Sequence, residues 1–141
     1  MAPQDPKRRN FMKSAALGGV AAAGLGFTRP ELAQADASQW VTLTATLTLN
    51  PAKADAAIEG LQTLVAAVEA NEPGVLAYIC NRSIENPNEI LFFEIYENPQ
   101  AGQLHGEAAH MAEFGRLAAE GGFFTQPTKL NFYERLAGYY R

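Results

Sequence analysis

Trp40-Val41-Thr42-Leu43-Thr44-Ala45-Thr46-Leu47-Thr48-Leu49-Asn50-Pro51 decides the fold. Val41, Leu43, Ala45, Leu47 and Leu49 share one side of an extended chain, and Thr42, Thr44, Thr46 and Thr48 share the other. Alternation with β-branched threonines predicts a strand from Trp40 to Leu49. The threonine side is only mildly polar, so it suits a cavity wall as well as water. Asn50-Pro51 predicts a helix start, with asparagine as the cap and proline in the first turn, where its missing N–H costs nothing.

Towards the C-terminus, Ile58, Leu61, Leu64, Val65 and Val68 recur at helical spacing to about Ala70. Glu72-Pro73-Gly74 ends that helix, because proline lacks the next N–H and glycine accepts unusual dihedrals. Val75 to Ser83 reads as a second strand, Glu85-Asn86-Pro87-Asn88-Glu89 as a turn, and Ile90 to Tyr96 as the hairpin partner. Asn98-Pro99 repeats the cap-and-proline device before a helical region to about Ala119, which Gly121-Gly122 stops. A fourth strand falls within Gln126 to Leu136. The order β-α-β-β-α-β predicts an α+β, ferredoxin-like domain with a four-stranded antiparallel sheet.

Two helices cover one face of such a sheet. The other face is expected to carry Leu76, Tyr78, Phe92, Tyr96, Leu130 and Phe132, too much apolar area to leave wet. Burying five such side chains is worth roughly 8–15 kcal/mol. A second copy of the chain is the simplest cover, so a homodimer packed sheet to sheet is expected.

Towards the N-terminus, Arg8-Arg9-Asn10-Phe11-Met12-Lys13 precedes an uncharged stretch from Ser14 to Thr28. A basic flank, an apolar run and small residues beyond it predict an export signal, and the paired arginines look like the twin-arginine type. The run Ala15 to Phe27 is interrupted by four glycines and is shorter than the ~20 residues of a comfortable membrane span. A retained anchor is the alternative. Ala33-Gln34-Ala35 fits a cleavage site, as does Ala35-Asp36-Ala37. Residues 1–35 are therefore expected to be a signal peptide and 36–141 a single exported domain, periplasmic in a bacterium, that meets a membrane only during export. That domain has 6 Lys and Arg against 13 Asp and Glu, a formal charge of -7. An acidic surface argues against nucleic acid, which needs a basic footprint. Cys80 is the only cysteine, so no internal disulfide forms; a strand cysteine is expected to be a buried small hydrophobe.

Alternation along the hairpin assigns Val75, Ala77, Ile79, Leu91, Phe93 and Ile95 to the helices. It assigns Leu76, Tyr78, Cys80, Arg82, Phe92, Glu94 and Tyr96 to the opposite, cavity-bearing face. Glu94 and Arg82 there form an ion pair or serve substrate binding and proton handling. On the second helical region, Ala101, Leu104, Ala108, Met111 and Ala112 mark a sheet-facing stripe. His105 lies about 80° from its centre, on a flank from which it can enter a cavity and accept a proton. Its alternative is a boundary histidine bonded to a backbone carbonyl. His110 lies about 140° from that centre, with Phe114 and Leu117 on a second stripe that faces the pocket after a kink near Gly106, a long loop, or solvent. The two histidines diverge on a regular helix and are no zinc-binding i,i+4 pair, and there is no CxxCH haem signal, P-loop or dinucleotide fingerprint. No metal or cofactor is expected. Of the late tyrosines, Tyr133 suits a pocket or interface, whereas Tyr139 and Tyr140 suit tail packing.

Three segments carry a resemblance: Glu72-Pro73-Gly74-Val75-Leu76-Ala77-Tyr78, then Asn86-Pro87-Asn88-Glu89-Ile90-Leu91-Phe92-Phe93-Glu94-Ile95-Tyr96-Glu97, then Ala101-x-x-x-His105-x-x-x-x-His110. They resemble the antibiotic biosynthesis monooxygenase family of small dimeric α/β-barrel proteins, over about residues 40–136. The resemblance implies cofactor-free oxidation of a quinol-like or polycyclic phenolic substrate by dioxygen, in which the ionised substrate passes an electron to oxygen. It implies His105, Glu94, Arg82 and Tyr78 as catalytic candidates. Phe92, Tyr96, His110, Phe114 and Phe132 are the candidate substrate contacts. Haem-degrading relatives use a histidine with asparagine and tryptophan nearby. Here the single tryptophan is Trp40, with Asn81 and Asn131 as possible donors, and His105 stands where a helical tryptophan would be expected. A non-catalytic barrel holding a small hydrophobic molecule is the second reading, and a structural partner of a larger exported enzyme the third.

Overall fold

The computed structural model describes residues 39–139. The expected signal segment with its cleavage sites, and Tyr140, lie outside the described residues. Four strands, β1 (Val41–Thr48), β2 (Val75–Arg82), β3 (Glu89–Tyr96) and β4 (Lys129–Tyr133), form one antiparallel sheet in the order β2-β3-β1-β4. Helix α1 (Ala54–Asn71) connects β1 to β2; α2 (Pro99–Glu107) and α3 (Ala109–Gly121) connect β3 to β4. This is the expected ferredoxin-like topology, with the second helical region divided in two.

The caps act as the sequence indicated. Asn50 Oδ1 accepts from the Ala52 N–H at 3.1 Å, and its amide donates to the Gly122 carbonyl at 3.0 Å. One side chain thus starts the first helical turn, Pro51–Lys53, and ties it to the end of α3. Asn98 Oδ1 accepts from the Ala101 N–H at 2.9 Å, with Pro99 at the first position of α2. Gly122 closes α3 at φ 63°, a left-handed conformation that a Cβ would strain.

Register fixes which side chains share a face. Leu43, Ala45 and Leu47 on β1 stand opposite Glu94, Phe92 and Ile90 on β3. Tyr78 on β2 pairs with Glu94, and Leu130 and Phe132 on β4 pair with Ala45 and Leu43. All of these belong to the face that α1 covers with Ala57, Leu61, Leu64 and Val68. Phe92 is 2 % exposed and Tyr96 1 %.

The face assignment read from the sequence is therefore inverted. Tyr78, Phe92, Tyr96, Leu130 and Phe132 do not form an uncovered face awaiting a second copy; they pack towards the helices within one chain. The open face carries the threonines of β1 together with Ala77, Ile79, Leu91, Phe93, Ile95 and Tyr133. Ile79 there is 51 % exposed and Phe93 37 %. The physical cause is that both parities of Ile90-Leu91-Phe92-Phe93-Glu94-Ile95-Tyr96 are apolar, so hydropathy cannot orient the strand, and Glu94 argued for the wrong side. The register also slips between Val75 and Ala77, leaving Leu76 as a bulge without its own partner on β3.

Candidate active site

Between the covered face of the sheet and the helices lies a cavity of about 540 Å³. Its walls are apolar: Leu43, Ala45 and Phe92 from the sheet, Leu61 and Leu64 from α1, and Met111, Phe114 and Ala118 from α3. Tyr78, Glu94, Tyr96 and His105 also line it and cluster together. The His105 ring lies 5.0 Å from the Tyr78 ring and 5.4 Å from the Tyr96 ring, centre to centre. Such an enclosure, apolar with a few convergent polar groups, is the usual form of a small-molecule site.

His105 reaches the cavity because the helix does not continue. Ala108 adopts φ -65°, ψ 142°, an extended conformation that separates α2 from α3. Ala101, Gly102 and His105 form the buried side of α2, and Leu104, expected at the centre of that side, is exposed. The break also turns His110 back towards the end of α1, so two histidines that would diverge on a regular helix meet one carboxylate. Glu72 Oε2 lies 2.9 Å from His105 Nδ1, and Glu72 Oε1 lies 2.5 Å from His110 Nε2.

Glu72 was read from the sequence only as part of a helix stop. It sits where α1 ends, and its backbone N–H still bonds to the Val68 carbonyl at 2.9 Å. The next turn passes close to α2: a Cβ at Gly74 would lie 2.8 Å from the Ala101 Cβ. Only glycine permits that approach. With Glu72 ionised, a neutral His105 donates from Nδ1 and keeps Nε2 as an acceptor. That fixes its tautomer for taking a proton.

Glu94 is buried, and the Tyr96 hydroxyl donates to its Oε2 at 2.5 Å. Burial pushes its carboxyl above the usual range; the Tyr96 hydrogen bond and His105 pull the other way, and Glu72 adds to the rise. The phenols of Tyr78 and Tyr96 are raised too, by burial first and then by the nearby carboxylates. Both therefore remain neutral at physiological pH and able to donate a hydrogen bond.

Three of the four catalytic candidates, His105, Glu94 and Tyr78, converge on the cavity. Arg82 does not. It pairs with Ile90, four residues along β3 from Glu94, and its Nε donates to the Pro87 carbonyl at 2.6 Å in the hairpin turn. Among the substrate candidates, Phe92, Tyr96 and Phe114 line the cavity. Phe132 packs against the core without lining it, and His110 lines a separate groove between α1 and α3. Cys80, expected to be buried, is exposed on the edge strand β2. The haem-cleaving arrangement finds no match, since no tryptophan or asparagine lines the cavity. Trp40 packs beneath the Arg135 guanidinium at 4.2 Å, and the Asn81 amide bonds to the Ile79 and Leu91 carbonyls. Among the described residues, no group of three or more potential metal ligands comes together, and no helix is long and apolar enough to cross a membrane.

Comparison with known proteins agrees with this architecture. A protein of Caulobacter crescentus described as a candidate antibiotic biosynthesis monooxygenase shares 28 % identity over 71 % of this chain and 92 % of its own, with a TM-score of 0.65. A Pseudomonas aeruginosa protein shares 29 % over 71 % of this chain and 97 % of its own, with a TM-score of 0.64. A Bacteroides thetaiotaomicron structure at 19 % identity, covering 74 % of this chain and 97 % of its own with a TM-score of 0.67, shows the fold alone. No curated protein matches. The profile of the family described as antibiotic biosynthesis monooxygenase matches residues 40–117, which is more than half of the sequence and holds the cavity residues Tyr78, Glu94, Tyr96 and His105. The chain belongs to the antibiotic biosynthesis monooxygenase family.

Proposed function

We propose that the protein is an oxygenase that oxidises a quinol-like or polycyclic phenolic molecule with dioxygen, without a bound cofactor. The observation that carries this reading is His105, held through Nδ1 by a carboxylate, at the polar end of an otherwise apolar cavity. The flat apolar part of the substrate fills the space between Leu43, Phe92, Leu61 and Phe114. Nε2 of His105 accepts the phenolic proton. The phenolate transfers an electron to dioxygen, and the radical pair recombines into a carbon–oxygen bond. The resulting peroxide anion takes a proton from water, and loss of water from the hydroperoxide leaves a new carbonyl, so one oxygen atom enters the product and the other leaves as water. Glu94, biased by burial towards its neutral form, and the Tyr78 hydroxyl are the donors for developing oxyanion charge, while the Tyr96 hydroxyl, which donates to Glu94, holds that carboxyl in place.

The same proposal includes a homodimer. Its interface is the open face with Ile79, Leu91, Phe93, Ile95 and Tyr133, and not the aromatic face expected from the sequence. The supporting observation is the exposure of large apolar side chains on that face. The arginine pair and uncharged run before residue 36 support export by the twin-arginine route to the periplasm as a single domain, 36–141.

The test is aerobic turnover of a panel of quinols and polycyclic phenols by metal-free protein, with oxygen uptake recorded. Wild type is expected to consume oxygen and His105→Ala to lose it while keeping its melting temperature within a few degrees. Equal turnover by the two proteins removes His105 from the mechanism, and no turnover of any phenol leaves the binding barrel as the better reading.

A further inference from the structure

The groove lined by His110 and the cavity lined by His105 share no polar residue, yet Glu72 touches both histidines. The three side chains grade outward. His105 is 8 % exposed, Glu72 10 % and His110 20 %. The groove has a volume of about 380 Å³ and is bordered by Glu59 and Glu113, both exposed. The carboxylate has two partners, one facing each compartment.

We propose that Glu72 and His110 form a proton exit from the cavity, with His105 as its inner end. This rests on His105 being the base assigned above. The proton taken at Nε2 of His105 is balanced by release of the Nδ1 proton to Glu72 Oε2. One proton is shared in the contact between Glu72 Oε1 and His110 Nε2; as Oε2 takes the His105 proton, the shared proton stays with His110 Nε2, and His110 gives up its Nδ1 proton to water. The net change is one proton moved from the phenol to solvent, with each ring reset by exchange of its tautomer. No electron moves in these steps. Glu72 and His110 are positioning and relay residues, since neither lines the cavity.

The chain break at Ala108 is what makes the path. In a continuous helix His105 and His110 would point about 140° apart. With Ala108 extended, the Ala108 N–H bonds back to the His105 carbonyl at 3.2 Å, and Ala108 accepts from Met111 and Ala112 to begin α3. The second histidine returns to the same acid. Packing alone would not require this, because α3 is anchored elsewhere by Phe114 and Ala118.

The experiment measures solvent exchange of the His105 Nδ1 proton by ¹⁵N-edited NMR of the full chain, in wild type, His110→Phe and His110→Asn. Two variants are used so that poor folding of one leaves the other. Loss of a relay slows exchange, and about tenfold or more is expected in both. Loss of a merely structural contact loosens the site, so unchanged or faster exchange overturns the proposal whatever turnover shows. With a phenol that the wild type oxidises, both variants are expected to lose kcat about tenfold at unchanged KM, with recovery on adding imidazole; a loss that imidazole does not restore also overturns it. If wild type oxidises no phenol but exchange slows as expected, the oxygenase reading fails and the relay stands.

Discussion

The two faces of this sheet are built from the same strands and differ in almost everything else. The face towards the helices carries Leu43, Ala45, Leu47, Phe92 and Tyr96, with Tyr78 and Glu94 among them. The face away from them carries four threonines and a set of aliphatic and aromatic side chains that stay half exposed. The first borders a cavity and buried polar contacts; the second carries exposed ones, a Thr44–Tyr133 hydroxyl contact at 3.3 Å and the bonds of the Asn81 amide to strand carbonyls. Apolar content does not distinguish them. What does is a covering helix, and whether the polar groups among the apolar ones have partners.

The sharpest way to break the contrast is to remove the base. His105→Ala is expected to lower turnover of an accepted phenol by about 10²- to 10⁴-fold, read from initial oxygen uptake. Next is the core of the covered face. Leu61→Ala, at a fully buried position that also borders the cavity, is expected to cost about 2–5 kcal/mol in urea unfolding. On the open face, Phe93→Glu is expected to convert the proposed dimer to a folded monomer, read by sedimentation, with the far-UV spectrum unchanged. A monomeric wild type would remove that interface.

A smaller effect has a sign set by burial. Glu94 binds its proton more tightly folded than unfolded, because its carboxyl is raised above 4.5 in the native protein. It therefore favours the fold fully below that value and loses this contribution as pH rises through the raised value. Glu94→Gln is expected to gain stability relative to wild type as pH rises from 4 to 8, measured by melting temperature across that range. A constant difference would mean that folding does not raise the Glu94 carboxyl. The smallest change is Tyr133→Phe, which removes the exposed contact to Thr44 and is expected to shift unfolding by no more than about 0.5 kcal/mol.

Topology and both helix starts were legible because they rest on local chemistry. Alternation marks β1, and Asn50-Pro51 and Asn98-Pro99 mark the caps without reference to the rest of the chain. The orientation of β2 and β3 was not legible, since their two parities are equally apolar. Pairing to β1 resolves it, because the unambiguous Leu43, Ala45 and Leu47 fix the side of Glu94, Phe92 and Ile90. Glu94 and Tyr78 could be found as polar groups in apolar company even with the face inverted, because they share a parity wherever it points, and His105 could be found on the flank of a helical stripe. Glu72 could not. Its role depends on a break at Ala108, within Glu107-Ala108-Ala109, residues that ordinarily sustain a helix. Alternation puts Arg82 on the same face as Glu94, but four residues along a strand separate them by about 13 Å.

The central claim is that the substrate lies on the covered face with its acidic hydroxyl at His105. The most direct measurement is a crystal structure of the full chain grown without oxygen, with a polycyclic phenol bound. The expected result is a ring system between Phe92, Leu61 and Phe114 with its hydroxyl within hydrogen-bond distance of His105 Nε2. A phenol seated on the open face among Ile79, Phe93 and Tyr133, or one inside the cavity with its hydroxyl turned away from His105, would contradict it.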